Sequence, residues 1–185
     1  LGLRYMLESP KAGHKAGEAD DAATAITMLR EGHWDLMTLD LSLDGGRNGI
    51  ELLKQVRRNW PHLPVLVVSM HEEERYGVRA LRAGAHGYLT KGAGPTRLLE
   101  AVERLMEGRT YISEHLAELL VRDVAPESGP GHRDLSDREY QILQLLASGM
   151  RVSDVATQLA LSVNTVSTYR SRILRKLNLR HTAEL

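Results

Sequence analysis

Asp35-Leu36-Met37-Thr38-Leu39-Asp40 is a short, mostly apolar run that ends on an acid. It reads as a buried strand with Asp40 at its C-terminal end. Further along, Pro64-Val65-Leu66-Val67-Val68-Ser69 is a β-branched run bounded by a proline and a polar stretch. Gly87-Tyr88-Leu89-Thr90 is a third, weaker strand candidate. His14-Lys15-Ala16-Gly17-Glu18 is a fourth, against its own composition. Helical periods separate these runs. Ala22, Ala25, Ile26 and Leu29 fall at i, i+3, i+4 and i+7, and Ile50, Leu53 and Val56 mark a second helix. Val78 and Leu81 mark a third before Gly84, and Pro95 opens a fourth with Leu98, Leu99, Val102 and Leu105 on one face and Gly108 past its end. Strands alternating with amphipathic helices predict an α/β doubly wound parallel sheet with both faces covered.

After Asp123 the strand signals stop. Pro126-Glu127-Ser128-Gly129-Pro130-Gly131 reads as a linker, and only helical patterns follow. The expected organisation is a first domain over 1–122, a linker over 123–134 and an all-α domain over 135–185. In the last, Ser136 and Glu139 form a capping box at the start of a helix that Gly149 ends. A short helix through Val152, Val155, Ala156 and Leu159 meets a tight Ala160-Leu161 turn. Ser162 then caps a helix from Val163 to about Leu177, with Val166, Tyr169, Ile173 and Leu177 on its apolar side. Two short helices, a tight turn and a basic second helix define a helix-turn-helix.

Bulk properties narrow the function. The 185 residues carry 24 basic and 24 acidic side chains and no cysteine. Disulfides, thiol catalysis and zinc–thiolate sites are therefore excluded, which fits a cytosolic protein. No run approaches the roughly 18 apolar residues of a membrane span, and the eight histidines are scattered without close metal-ligand spacing. The zero net charge hides an asymmetry. Between Val155 and Ala183 there is no acid, while Arg170, Arg172, Arg175, Lys176 and Arg180 all fall there. A basic stripe in a neutral chain suits a polyanion partner, although a solvated helix face has the same composition.

Leu135-Ser136-Asp137-Arg138-Glu139, Gly149, Val155-Ala156, Leu161-Ser162, Thr165-Val166, Arg172-Ile173-Leu174 and Lys176-Leu177 together resemble the LuxR-type DNA-binding domain over the whole of 135–185. The resemblance implies that the Val163 helix enters the major groove of DNA. By position its outward face offers Ser167, Thr168 and Ser171 to base edges, with Asn164 nearby. Thr165, Arg170, Arg172 and Lys176 are better placed for phosphates. Arg151 stands where that family usually has a small polar N-cap.

In the first domain, Asp40, Ser69 and Lys91 end three successive strand candidates, and the ends of parallel strands share one rim. With Asp35-Leu36, Ser69-Met70-His71, Ala83-Gly84-Ala85 and Gly87-Tyr88-Leu89-Thr90-Lys91, this set is similar to the receiver domain of response regulators of the NarL/FixJ type, from about Leu1 to Gly108. The resemblance implies a flavodoxin-like sheet and phosphorylation of Asp40 by a sensor histidine kinase. It also implies Lys91 paired with the phosphoryl oxygens, Ser69 and Tyr88 as the switch pair, and Mg²⁺ held by Asp40 and the Ser42 carbonyl. The implied whole is a homodimeric, cytoplasmic transcription regulator and not an enzyme. Two departures stand out. The loop Asp44-Gly45-Gly46-Arg47-Asn48-Gly49 looks one residue long, with Asp44 where a proline is common. The metal-binding acidic pair and the central first strand it follows have no counterpart. Leu1 to Leu7 resembles the helix after that strand, and Asp21 reads as a helix cap. A central strand is costly to lose, so the expectation is a chain clipped at its start. The runner-up function is a receiver-linked DNA-binding regulator controlled without phosphorylation.

Overall fold

The computed structural model describes residues 2–8, 13–42, 49–70, 73–124, 135–179 and 181. They form two compact units, 2–124 and 135–181. In the first, the order is α1 (Gly2–Leu7), α2 (Ala22–Glu31), β1 (Met37–Leu39), α3 (Gly49–Asn59), β2 (Val65–Ser69), α4 (Glu73–Arg82), β3 (Gly87–Thr90), a 3-10 turn (Lys91–Ala93), α5 (Gly94–Met106) and α6 (Glu114–Val124). The expected Pro126–Gly131 linker and the loop 43–48 lie outside the described residues, as does His71.

The sheet is parallel and runs β1-β2-β3. Leu39 pairs with Val67, and Ser69 pairs with Thr90, so all three strands end at one rim. Every residue of β2 is buried, as its continuous apolar run requires of a strand covered on both faces. On one face Leu66, Val68 and Leu89 join Leu98, Ala101, Val102 and Leu105 of α5, and Leu3, Met6 and Leu7 of α1 pack against that cluster. By alternation Val65 and Val67 point to the opposite face. In α3 a helical row of side chains, Ile50, Leu53 and Val56, is fully buried. Asp21 does cap α2, its Oδ1 accepting the Thr24 N–H at 2.8 Å.

The fourth strand candidate is corrected. Residues 14–18 form no strand, and no described strand pairs with the outer edge of β1. Instead the His14 N–H donates to the Leu7 carbonyl at 3.2 Å and the Ala16 N–H to the Glu8 carboxylate at 3.3 Å. With those donors satisfied by the end of α1, the segment follows the helix rather than a sheet edge.

Beyond α5 the chain returns to the sheet. Tyr111 forms an isolated parallel bridge with Gly87, donating to the His86 carbonyl at 3.0 Å and accepting from the Tyr88 N–H at 3.1 Å. A Cβ on Gly87 would lie 2.8 Å from the Tyr111 carbonyl oxygen, so only glycine admits this approach. Then α6 packs along α4. Its Leu116 is fully buried over Gly77, where a Cβ would come within 2.6 Å of Leu116 Cδ1. The helix runs to Val124, two residues into the stretch read as linker.

The second unit holds α7 (Asp137–Ala147), α8 (Val152–Gln158) and α9 (Val163–Lys176). The capping box is present, with the Ser136 side chain on the Glu139 N–H and the Glu139 carboxylate on the Ser136 N–H. Arg151 occupies the N-cap of α8 with no side-chain cap bond. Ala160 turns the chain at φ +50°, and Ser162 caps α9 through the Thr165 N–H at 3.0 Å. Leu135, Tyr140, Ile142, Leu146, Val155, Ala156, Leu159, Val166 and Ile173 are buried. No helix among the described residues is long and apolar enough to cross a membrane.

Candidate functional site

Three sequential strand ends build the first site. Asp40 follows β1, Ser69 closes β2, and Lys91 follows β3. Lys91 Nζ lies 2.5 Å from Asp40 Oδ2, and the Ser42 N–H donates to Asp40 Oδ1 at 3.0 Å. One carboxylate oxygen thus faces an ammonium and the other an amide, and the pair stays partly open to solvent, at 27% and 35% side-chain exposure. That combination keeps the carboxylate oriented and reachable, as a nucleophile must be.

Ser69 and Tyr88 sit below this rim, at 0% and 1% exposure. The Tyr88 hydroxyl is hydrogen-bonded to the Ser69 side chain. Burial pushes the Tyr88 phenol above its ordinary range, with Glu73, Tyr76 and Asp40 adding to the effect and the Ser69 hydrogen bond opposing it. The aromatic therefore stays neutral and inward. Lys91 and the Ser42 amide thus meet Asp40, and Ser69 and Tyr88 form a buried pair. The Gly-rich loop with Asp44 lies outside the described residues.

Of the two groups expected at magnesium, Asp40 stands at the rim with its Oδ1 accepting the N–H of Ser42. Among the described residues no cluster of three acidic, histidine or cysteine side chains could hold a metal. Asp20 is exposed and Asp21 is committed to its cap. One carboxylate and one carbonyl fall short of a self-sufficient site.

Sequence reasoning missed a connection at the first turn of α4. Glu73, four residues past Ser69, accepts a hydrogen bond from Ser113 Oγ, and that oxygen in turn accepts the Leu116 N–H at 3.0 Å. Ser113 is thereby the cap of α6. Alongside, His115 Nε2 lies 2.7 Å from Glu74 Oε1. Gly77 in mid-helix was the available signal, since a glycine inside an amphipathic period usually marks a close neighbour.

The second site is the solvent side of α9. Asn164, Thr168, Ser171 and Arg172 are exposed, whereas Thr165, Ser167 and Arg170 are half-buried. Thr168 Oγ1 donates to the Asn164 carbonyl at 2.9 Å and Ser171 Oγ to the Ser167 carbonyl at 3.1 Å. The Arg172 guanidinium stands 6.0 Å from the Tyr169 ring centroid. Lys176 is placed differently from the expectation. Its Nζ lies 2.7 Å from Glu139 Oε2, the oxygen that also accepts the Ser136 N–H at 2.7 Å. Glu139 is 4% exposed. Burial pushes its carboxyl upward, but Lys176 and Ser136 outweigh that and hold it below the usual range. The ammonium is engaged within the domain, joining the end of α9 to the start of α7.

A phosphoryl-acceptor geometry on a doubly wound sheet, followed by a helix-turn-helix, defines a class of phosphorylation-responsive DNA-binding regulators. The comparisons agree. Residues 1–103 match the response regulator receiver domain, and 133–185 match the luxR family of bacterial regulatory proteins. Response regulator UvrY of Escherichia coli (strain K12) is 31% identical over 186 residues, covering 100% of this chain and 85% of the relative. Response regulator GacA of Pseudomonas aeruginosa is 33% identical over 186 residues, covering 100% and 86%. Among solved structures, RcsB from Salmonella enterica serovar Typhimurium, bound to promoter P1flhDC in the presence of the phosphomimetic BeF3-, is 28% identical with a TM-score of 0.66, covering 99% of this chain and 88% of that one. The chain belongs to the two-component response regulators that join a receiver domain to a LuxR-type DNA-binding domain.

Proposed function

We propose that Asp40 takes the phosphoryl group of a sensor histidine kinase and that this modification switches DNA binding by α9. The observation that carries the reading is the Lys91–Asp40 contact at 2.5 Å beside the Ser42 amide. In the transfer, a carboxylate oxygen of Asp40 attacks phosphorus, the phosphorus–nitrogen bond of a phosphohistidine breaks, and an acyl phosphate forms. Lys91 follows the new negative charge onto a phosphoryl oxygen. Mg²⁺, held by Asp40, the Ser42 carbonyl and water, supplies further charge neutralisation when bound.

The added charge draws the Ser69 hydroxyl from Tyr88 toward the phosphoryl group. Ser69 closes β2 and Glu73 opens α4, and Glu73 holds the cap of α6. Motion at Ser69 is thereby passed to the helix that leads along the chain toward the DNA-binding unit. On DNA, Ser167, Thr168, Ser171 and Asn164 face base edges, while Thr165, Arg170 and Arg172 meet phosphates. Lys176 is assigned to the domain's own structure. A homodimer on paired half-sites fits the two-fold logic of such domains, and a DNA partner places the action in the cytoplasm.

Intact mass before and after acetyl phosphate with magnesium, beside Asp40→Asn, tests the reading. One phosphoryl group on the wild type and none on the variant supports it. An unmodified wild type would favour control without phosphorylation, a reading that draws on the lack of a three-ligand metal cluster among the described residues.

A further inference from the structure

α9 carries one apolar side chain that its core does not use. Val166 and Ile173 are fully buried, but Val163, the first helical residue, is 50% exposed. An isolated exposed valine is ordinary on a protein surface. Val163 differs in its company. At i, i+4 and i+8 it forms one row with Ser167 and Ser171, next to Asn164 and Thr168, on the side proposed to read bases.

This face has two further properties. Its side chains are short, so the helix backbone can approach the groove floor closely, and none has the forked donors that pair with guanine O6 and N7. In addition, the hydroxyl protons of Thr168 and Ser171 are directed to the Asn164 and Ser167 carbonyls of the same helix. What these groups present outward is therefore acceptor lone pairs. In the major groove an A·T pair offers a matching set, the adenine N6 donor and, on the same pair, the thymine C5-methyl group.

We propose that Val163 is a specificity-determining residue that packs against thymine C5-methyl groups, and that with its hydroxyl neighbours it selects A·T pairs in the target site. The inference rests on the proposed docking of α9 in the major groove and names what that face reads. Arg172, exposed on the flank of the helix, supplies charge without choosing sequence.

The test exploits deoxyuridine, which pairs like thymidine but lacks the methyl group. Duplexes recovered by the full-length chain from a randomised 20-bp pool are resynthesised with deoxyuridine at one thymidine at a time. Their affinities are measured by fluorescence anisotropy for the wild type and Val163→Ala, after circular dichroism shows the variant folded. At one or two thymidines per half-site the wild type should bind the substituted duplex about three- to fivefold more weakly, as expected for losing one buried methyl-sized group. Val163→Ala should bind both duplexes alike at those positions. A wild type indifferent to every substitution, or a variant as sensitive as the wild type, overturns the assignment. A pool that never enriches overturns the DNA-binding reading itself.

Discussion

Ser113 Oγ donates to the Glu73 carboxylate and accepts the Leu116 N–H, so one hydroxyl closes the first turn of α6 onto the first turn of α4. The two residues lie 40 positions apart in the chain, and Glu73 follows the Ser69–Tyr88 pair by four residues. Ser113→Ala removes both the cap and the bridge. We predict a loss of about 1–2 kcal/mol from the receiver unit, with faster amide exchange confined to α6. Glu73→Gln should leave Asp40 phosphorylation intact while shrinking the effect of phosphorylation on DNA affinity. An unchanged effect in both variants would remove this contact from the switch.

Gly77 and Leu116 give a sign-reversal test. Gly→Ala inside a helix ordinarily stabilises by about 0.5–1 kcal/mol, but here the new methyl meets Leu116 Cδ1 at 2.6 Å. Gly77→Ala should therefore destabilise the wild type in urea unfolding. In a Leu116→Ala background, itself costing about 2–5 kcal/mol, the same substitution should stabilise. Equal effects in both backgrounds would mean that α6 does not pack at Gly77.

Lys176 separates a structural role from a DNA contact. Lys176→Ala leaves the buried Glu139 carboxylate without its ammonium. The expected cost is about 1–3 kcal/mol, below the figure for a fully buried pair because Lys176 is 36% exposed. Because the folded-state pKa of Glu139 is lowered, the stabilisation is present above the unfolded value and fades as pH falls through the folded one. Thermal unfolding across that range should show the fade in the wild type and less of it in the variant. If Lys176 served phosphates instead, the variant would unfold like the wild type and lower the salt dependence of DNA binding.

His86 predicts a second acid sensitivity. The Val65 N–H donates to His86 Nδ1 at 3.2 Å, which requires a neutral ring at the head of β2. Burial, then the charge of Arg57, lowers the His86 pKa below its ordinary value. The contribution is complete above the unfolded pKa, near 6.5, and is lost as pH drops through the folded value. His86→Gln should flatten the stability profile in that window, read by chemical unfolding between about pH 7 and pH 5.

Residues 37–39, 65–69 and 87–90 were legible as strands because each is an apolar run bounded by breakers, and their shared rim made Asp40, Ser69 and Lys91 neighbours before any geometry was known. The Asp21 cap and the Ser136–Glu139 box were legible for a similar reason, since each is set by spacing of three residues or fewer. The features that could not be read are long-range. Residues 14–18 carry no mark of where their backbone donors go, and those of His14 and Ala16 go to the end of α1. Lys176 looks like any basic residue on a DNA-facing helix until Glu139, 37 positions away, is seen beneath it. Likewise nothing within residues 114–124 says what α6 packs on, and only Gly77 hints at it.

The most direct test of the account is the affinity of the full-length chain for its selected duplex with and without acetyl phosphate and magnesium, measured in parallel for Asp40→Asn. A change of roughly 5- to 150-fold in the wild type, the span of ordinary allosteric coupling, together with no change in the variant, is the predicted result. A wild type that carries the phosphoryl group yet binds DNA unchanged would contradict the claim that Asp40 is the switch.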